Sequence, residues 1–441
     1  MKNFLVINNK IKSFNKKITV SGDKSLSIRT VLLASQAIGK SRISNLLESE
    51  DVLNSLKVIK KLGSNFKKKN NLYEINGYGL DSFYLKKKLR IYTGNSGTLA
   101  RLILGLLANV NQEVKIYGDK SLSKRDFSRI SNPLKVFGVN IKLSNNSLPA
   151  TIIGTKYLRP INYFENLGSA QCKSAVMLAA LKTNGVTKIK AKKSRNHTEL
   201  LFQNLNIPIK LKKTKKFDFI EISGPSNFSS FNYNIPGDIS SSAFFIVLTL
   251  LSKNSSILIK NININPSRTG IIKILNKMNA NITFKNKKVY KGEAVADIFV
   301  KSKSNIKSIK CPEHMNSSAI DEFLIIFLVA AKARGISTFK NLGELNKKES
   351  PRLDIGINFL KKIGIKVLRK KNDIKIYGNP KLKLKDEYIM KDFLKDHRVF
   401  MMSSVAALTL GGKWKIYDQE SIKTSFPNFI KIIKKLGAKI N

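Results

Sequence analysis

Asp51-Val52-Leu53-Asn54-Ser55-Leu56-Lys57-Val58-Ile59-Lys60-Lys61-Leu62-Gly63, running on into Ser64-Asn65-Phe66, puts Val52, Leu56, Ile59 and Leu62 on one face of a helix and then stops that helix at a glycine. Spacings of three and four make the apolar stripe, and glycine suits the left-handed residue that closes a helix. A short strand follows. The same order of amphipathic helix, stop and strand returns over residues 132–141, 199–209, 270–282, 353–367 and 429–440. The stops fall near residues 63, 138, 207, 279, 364 and 437, a period of roughly 70 residues, which marks one supersecondary unit used six times. Six units divide naturally into two groups of three.

Each unit also contains a second, more apolar helix, predicted at 27–37, 98–108, 169–181, 239–251, 318–332 and 397–410. These need burial on nearly every side, so they are expected inside, with the amphipathic helices outside covering sheets. The longest apolar runs, 243–251 and 323–331, fall short of the roughly 18 residues a membrane span needs and read as buried helices of a soluble protein. Lysine-asparagine stretches at 67–71, 210–216 and 285–288 read as solvated hairpin loops.

At 441 residues the chain is expected to form two domains, and its formal net charge is +51. Such a charge taken alone points to nucleic acid. The lysines, however, are scattered along the whole chain and form no basic tail, which argues against a nucleic-acid partner. Only 13 of the 80 basic residues are arginine, and Arg29, Arg101, Arg125, Arg195, Arg268, Arg352 and Arg398 recur in glycine- or serine-containing motifs or at helix starts. That placement suits two-point recognition of anions, which lysine provides less well. Cys172 and Cys311 are the only cysteines and show no CxxC spacing, so neither a disulfide framework nor a zinc site is indicated, and a reducing compartment is expected. The amino-terminal residues carry no signal-peptide core.

The polar motifs cluster where apolar helices begin. Gly22-Asp23-Lys24-Ser25-Leu26-Ser27-Ile28-Arg29 opens the first, and Gly118-Asp119-Lys120-Ser121-Leu122-Ser123-Lys124-Arg125 repeats its first half. Between them stands Gly94-Asn95-Ser96-Gly97-Thr98-Leu99-Ala100-Arg101. Cations, hydroxyls and backbone N–H groups at a helix start form a natural grip for phosphate or carboxylate. Further such segments are Gly168–Ser174, Ser194–Glu199, Pro236–Ser241, Asn265–Gly270, Asp321-Glu322, Lys347–Arg352 and Asp396-His397-Arg398. Gly39-Lys40-Ser41 offers the tail of a nucleotide-binding loop, but Ala34 occupies the position that needs the first glycine, so no nucleoside triphosphate is implied.

In order and spacing, Gly22–Arg29, Asn95–Arg101, Ser169–Lys173, Ser194–Glu199, Pro236–Ser241, Asp321-Glu322, Lys348–Arg352, Asp396–Arg398 and Ser425-Phe426-Pro427 resemble the motifs of the 5-enolpyruvylshikimate-3-phosphate synthases. The resemblance covers nearly the whole chain. It implies an α/β (α+β) fold, a two-lobed inside-out barrel of six βαβαββ-type units, which agrees with the sixfold period. By the same resemblance residues 23–240 form the N-terminal lobe, and residues 1–22 with 241–441 form the C-terminal lobe, with two hinge crossings.

The resemblance further implies transfer of the enolpyruvyl group of phosphoenolpyruvate to the 5-hydroxyl of shikimate 3-phosphate, through a tetrahedral intermediate, with release of phosphate. Asp321, Glu349 and Lys24 would be catalytic. Lys24, Ser25, Arg29, Ser169, Ala170, Gln171, Ser194, Arg195, Asp321 and Lys348 would hold shikimate 3-phosphate. Lys24, Gly97, Arg125, Gln171, Arg352 and Arg398 would hold phosphoenolpyruvate, with Asn95, Arg101 and His397 in support. No cofactor or metal is implied, and a cytoplasmic monomer with no membrane partner is expected.

Several positions depart from the family pattern. Asp126 follows Arg125 where the family has proline, and is expected to weaken the grip of that arginine. Ser350 and Pro351 stand before Arg352 in place of threonine and aspartate, Phe323-Leu324 replaces an isoleucine-proline pair, and Lys423 is one residue off register from Phe426-Pro427. Two alternatives are a UDP-N-acetylglucosamine enolpyruvyl transferase and a catalytically impaired basic binding protein on the same scaffold. The first normally has asparagine after the lysine, where this chain has Ser25.

Overall fold

A computed structural model describes residues 3–83, 85 and 88–440; residues 1, 2 and 441, which the expected C-terminal lobe includes, lie outside the described residues. The chain divides into an N-terminal unit, Gly22–Ile235 with Tyr290–Glu293, and a C-terminal unit, Met1–Ser21, Pro236–Val289 and Ala294–Asn441. Each has its own apolar core.

The helices in chain order are α1 (Lys24–Ala34), α2 (Glu50–Lys61), α3 (Gly97–Leu106), α4 (Ser128–Val136), α5 (Ala170–Ala180), α6 (His197–Asn204), α7 (Ile239–Leu251), α8 (Gly270–Lys277), α9 (Asn316–Ala319), α10 (Phe323–Lys332), α11 (Arg352–Lys362), α12 (His397–Leu410) and α13 (Phe429–Lys435). Helices α1, α3, α5, α7, α10 and α12 are the apolar set, and nearly all their residues are buried. The amphipathic set is α2, α4, α6, α8, α11 and α13. Each of its members ends at a left-handed residue: Gly63, Gly138, Asn206, Asn279, Gly364 and Gly437 all have φ between +55° and +102°. These are the stops read from the sequence, supplied by the two residue types that adopt this conformation most readily. The span 318–332, expected as one helix, is broken at Ile320–Glu322, which leaves Asp321 and Glu322 at the start of α10.

Among the described residues six open sheets accompany the helices. The second repeat shows the plan. Strand Leu89–Tyr92 leads into α3; Glu113–Tyr117 returns parallel to it; after α4, the hairpin Asn140–Ser144 and Ser147–Ile153 adds two antiparallel strands. In the first repeat the leading strand is Asn232–Asn234, taken from the end of the N-terminal unit. In the fourth it is Asn15–Ile18, parallel to Ser256–Asn263. The fifth has only isolated bridges at Lys307 and Lys310 in that place. In the sixth, Phe4–Ile7 pairs antiparallel with Gly411–Tyr417 and takes the place of the hairpin.

The lysine-rich stretches are loops only at Asn70-Asn71 and over residues 214–216. Phe66–Lys69, Ile209–Lys213 and Asn281–Tyr290 are strands, each at the outer edge of its sheet. Charge on an edge strand discourages pairing with another chain, so these lysines protect open edges that the fold cannot close.

Helices α3 and α5 pack closely. A Cβ placed on Gly105 would lie 2.2 Å from the carbonyl oxygen of Ala175, a backbone atom that cannot move aside alone. Gly105→Ala is therefore expected to destabilise the protein by about 1–3 kcal/mol or more, read as a lowered urea midpoint. An unchanged midpoint would show that the two helices are not held this tightly.

Candidate active site

Five of the six apolar helices are capped in a consistent way, α10 being the one without a side-chain cap. Asp23, Ser96, Ser169, Asp238 and Asp396 each accept a hydrogen bond from a backbone N–H in the first turn of α1, α3, α5, α7 and α12. Such caps satisfy donors that a buried helix start cannot leave unpaired. The site residues read from the sequence stand beside them.

In the N-terminal unit, Lys24 and Ser25 open α1, and Lys24 Nζ lies 3.0 Å from Asp51 Oδ2 at the start of α2. Arg29, one turn further on, is buried. Its Nε donates to Thr198 Oγ1 at 2.8 Å, Nη2 to Ser174 Oγ at 3.0 Å and Nη1 to the Ser25 carbonyl at 3.1 Å. The guanidinium thus braces α1 against α5 and α6. Lys173 and Glu199, both buried and 2.6 Å apart, form a second tie between α5 and α6. Ser169, Ala170 and Gln171 start α5, and Ser194 and Arg195 occupy the turn before α6.

Gly97 is the first residue of α3. A Cβ there would stand 3.0 Å from Arg125 Nη1 and 3.3 Å from Arg101 Nη1, so the missing side chain lets two guanidinium groups lie over the start of one helix. Arg125 Nη2 donates to Asn95 Oδ1 at 2.7 Å, and Asn95 Nδ2 donates to Asp119 Oδ2 at 2.6 Å. Gln171 accepts from Arg101 Nη1 at 2.5 Å and donates to Thr98 Oγ1 at 2.9 Å, which sets the orientation of its amide. Burial pushes the Arg101 pKa below its ordinary value. Two convergent guanidinium groups, a helix N-terminus and an oriented amide form a grip for a phosphate or carboxylate.

The Asp126 carboxylate has partners in its own turn and the next helix. It accepts from the Ser128 N–H at 2.7 Å and Oγ at 2.5 Å, and lies 3.5 Å from Arg129. Burial alone would raise its pKa, but the bonds from Ser128 and the charges of Arg129 and Arg101 bring it below the usual range. The extra anion is engaged at the start of α4.

In the C-terminal unit the arrangement centres on Arg352, a buried residue that opens α11. Nε donates to Asp396 Oδ2 at 2.8 Å, Nη2 to Asp396 Oδ1 at 3.3 Å and to Glu349 Oε2 at 2.6 Å, and Nη1 to Asp321 Oδ1 at 3.4 Å. Lys348 Nζ is 3.5 Å from the same Asp321 oxygen, and Arg398 Nη1 donates to the Asp321 carbonyl at 2.6 Å. Burial acts to lower the Arg352 pKa, but Asp396, Glu349 and Asp321 together raise it. Ser350, in place of the family's threonine, donates from Oγ to Asp396 at 2.8 Å. Behind this group, Arg268 donates to Ser240 at 2.8 Å and Ser240 donates to Glu322 at 2.5 Å. His397 lies 3.5 Å from Thr424 Oγ1, while Lys423 is exposed in the short turn Gln419–Thr424.

The structure thus gathers Asp321, Lys348, Glu349, Arg352 and Arg398 into one cluster of the C-terminal unit. Within the N-terminal unit it brings Asn95, Gly97, Arg101, Arg125 and Gln171 together, with Lys24 at the start of α1 beside Asp51. Sequence reading did not assign the partners that orient these groups: Asp51, Thr98, Ser174, Thr198 and, at Arg352, Asp396. Thr98, Ser174, Thr198 and Asp396 stood within the polar motifs without a role of their own, whereas Asp51 appeared only as the start of an amphipathic helix. Among the described residues no group of three or more His, Cys, Asp or Glu side chains is placed to hold a metal ion, and no helix is long and apolar enough to cross a membrane.

Comparison with known proteins completes these observations. The profile of the family EPSP synthase (3-phosphoshikimate 1-carboxyvinyltransferase) matches residues 8–433. The chain is 36% identical over 447 residues to a 3-phosphoshikimate 1-carboxyvinyltransferase of Vesicomyosocius okutanii, covering 100% of this chain and 99% of the relative. It is 38% identical to that of Ruthia magnifica, covering 96% of each. EPSP synthase from Acinetobacter baumannii superposes with a TM-score of 0.86 at 32% identity, covering 99% of both chains. The enolpyruvyl transferase NikO from Streptomyces tendae, at 14% identity and a TM-score of 0.76 over 100% of this chain and 99% of that one, shares the fold.

The Arg352–Asp396 pair makes a stability prediction. Burial acts to raise the Asp396 pKa, but Arg352 and then His397 hold it below the usual carboxylate range. A depressed folded-state pKa contributes stability above the ordinary value of about 4 and loses it as the pH falls below that. Asp396→Asn is expected to cost about 3–5 kcal/mol at neutral pH, because Arg352 loses its buried counter-ion. The variant's urea midpoint should also fall less steeply than the wild type's below about pH 4. Parallel midpoint curves would show that the pair is not the acid-sensitive element.

Proposed function

The chain belongs to the EPSP synthase family, and on that premise we propose that it transfers the enolpyruvyl group of phosphoenolpyruvate to the 5-hydroxyl of shikimate 3-phosphate and releases phosphate. The reaction belongs to the shikimate pathway of aromatic amino-acid biosynthesis. The observation that carries the reading is Arg352, buried and touched by three carboxylates, with Lys348 and Arg398 on the Asp321 side of the same cluster.

The chemistry needs a base for the hydroxyl, an acid for the methylene carbon, and fixed cations for two phosphates and two carboxylates. Oxygen attack on C2 of phosphoenolpyruvate, with a proton added at C3, gives the tetrahedral intermediate. Loss of a C3 proton with departure of phosphate restores the C2–C3 double bond and leaves the enol ether product. Asp321 takes the hydroxyl proton, while Glu349 and Lys24 handle the proton at C3. Lys24, Ser25, Arg29, Ser169, Ala170, Gln171, Ser194, Arg195 and Lys348 are assigned to shikimate 3-phosphate. Arg29 acts from beneath, as the brace that sets Ser25, Ser174 and Thr198. Lys24, Gly97, Arg125, Gln171, Arg352 and Arg398 are assigned to phosphoenolpyruvate, with Asn95, Arg101 and His397 behind them.

The carboxylates around Arg352 differ in how readily they can be replaced. The Asp396 side chain is 0% exposed and that of Glu349 is 24% exposed. An incoming phosphoenolpyruvate anion therefore displaces Glu349 before Asp396, and Asp396 remains the permanent counter-ion. Displacement takes Glu349 off its guanidinium partner as the substrate arrives. The enzyme acts as a cytoplasmic monomer without a cofactor.

Phosphate release is expected only when shikimate 3-phosphate and phosphoenolpyruvate are both present, with Lys24→Ala and Glu349→Ala each lowering kcat by about 10²–10⁴-fold. Turnover with UDP-N-acetylglucosamine instead would move the chain to the sibling activity. No turnover combined with salt-sensitive DNA retention would replace the enzyme reading altogether. The charge of +51 is expected to steer both anions, so kcat/KM should fall as salt is raised while kcat stays nearly constant.

A further inference from the structure

His197 and Glu293 have no part in the assignments above. His197 opens α6 immediately after Ser194, Arg195 and Asn196, and its Nδ1 lies 2.6 Å from Glu293 Oε1, with both side chains fully buried. The carboxylate comes from the tip of the hairpin Asn281–Tyr290 and Glu293–Lys301. The tip residues Tyr290–Glu293 belong to the N-terminal unit, while the rest of the hairpin belongs to the C-terminal unit.

The tip is fixed independently of the histidine. Lys291 and Gly292 both have positive φ, 51° and 82°, as a two-residue hairpin turn requires. The Asn234 N–H donates to the Tyr290 hydroxyl at 2.9 Å, Lys291 Nζ donates to the Asn232 carbonyl, and the rings of Tyr233 and Tyr290 meet edge to face at 5.5 Å. Gly292 sits against Leu200 of α6. Glu293 is therefore presented to His197 by a rigid support, and a buried carboxylate accepting from a ring N–H sets both the tautomer and the orientation of the imidazole.

His197 is the first residue of a helix only two turns long and without a side-chain cap, so fixing its ring fixes the chain just before it. That chain includes Ser194, whose Oγ is buried without a hydrogen-bond partner among the described residues. We infer that Glu293 is a positioning residue for the substrate phosphate: acting through His197, it holds the Ser194-Arg195 turn in the geometry that grips the 3-phosphate of shikimate 3-phosphate. The inference rests on the proposed function, which assigns that phosphate to Ser194 and Arg195.

The test uses the full-length protein, calorimetry with shikimate 3-phosphate, and steady-state kinetics with both substrates. Glu293→Ala is expected to raise the Kd and KM for shikimate 3-phosphate about ten-fold. The KM for phosphoenolpyruvate and kcat should change by less than about two-fold, because the turn is assigned to one substrate only. Glu293→Gln retains an oxygen that accepts from Nδ1–H and should recover most of the affinity. If Glu293→Ala does not fold, Glu293→Asp, which draws the carboxylate back by one methylene, is expected to show the same one-substrate defect. An equal rise in both KM values, or a lower melting temperature with unchanged affinity for shikimate 3-phosphate, would overturn the inference while wild-type turnover leaves the proposed function standing. A wild-type protein that neither binds shikimate 3-phosphate nor releases phosphate would overturn the proposed function itself.

Discussion

A helix buried on every side can offer polar chemistry only at its ends. Six such helices form the interior of this protein, and their first turns carry donors that must be satisfied without bulk water. Aspartate and serine caps meet that demand in five of them, and the same turns hold the cations. The buried Arg352–Asp396 pair shows how the two needs combine, because Asp396 caps α12 through the Arg398 N–H and neutralises Arg352 at the start of α11. Removing the carboxylate would therefore disturb both a helix start and the charge balance beside it.

This constraint explains why so much could be read from the chain. Apolar helices interrupt their own hydrophobic pattern only where they start, so Lys24, Gly97, Gln171 and Arg398 stand out against the apolar residues of the later turns. The amphipathic helices announce their ends, because a left-handed residue there must be glycine or asparagine to avoid strain. What stayed hidden was pairing across the fold. Asp51 is an ordinary first-turn acid of α2 until Lys24 is seen 3.0 Å away, and nothing local links Glu293 to His197. The partners of Asp126 were equally hidden: it adjoins Arg125 in sequence, and its carboxylate accepts from Ser128 and lies 3.5 Å from Arg129.

The large charge has a structural use apart from any ligand. Six open sheets leave unpaired edges, and lysine lies along several of them. Lysine ammonium groups also lie over aromatic rings: Lys190 over Phe164, Phe217 and Phe219, and Lys415 over Phe4 and Tyr417. Such contacts shield apolar area while the ammonium group remains hydrated. The lysine-rich composition and an ordinary α/β interior are therefore compatible.

The pairing of Phe4–Ile7 with Gly411–Tyr417 bears on the order in which the molecule can be assembled during translation. The first of these strands leaves the ribosome roughly 400 residues ahead of its neighbour. At elongation rates of about 5–20 residues per second that interval is on the order of half a minute. The first sheet of the other unit draws its edge strand from Asn232–Asn234 and can close much sooner. The opening segment must meanwhile stay uncommitted beside a nascent neighbour that is already folding, a period in which a chaperone holding those few residues would have the most to protect.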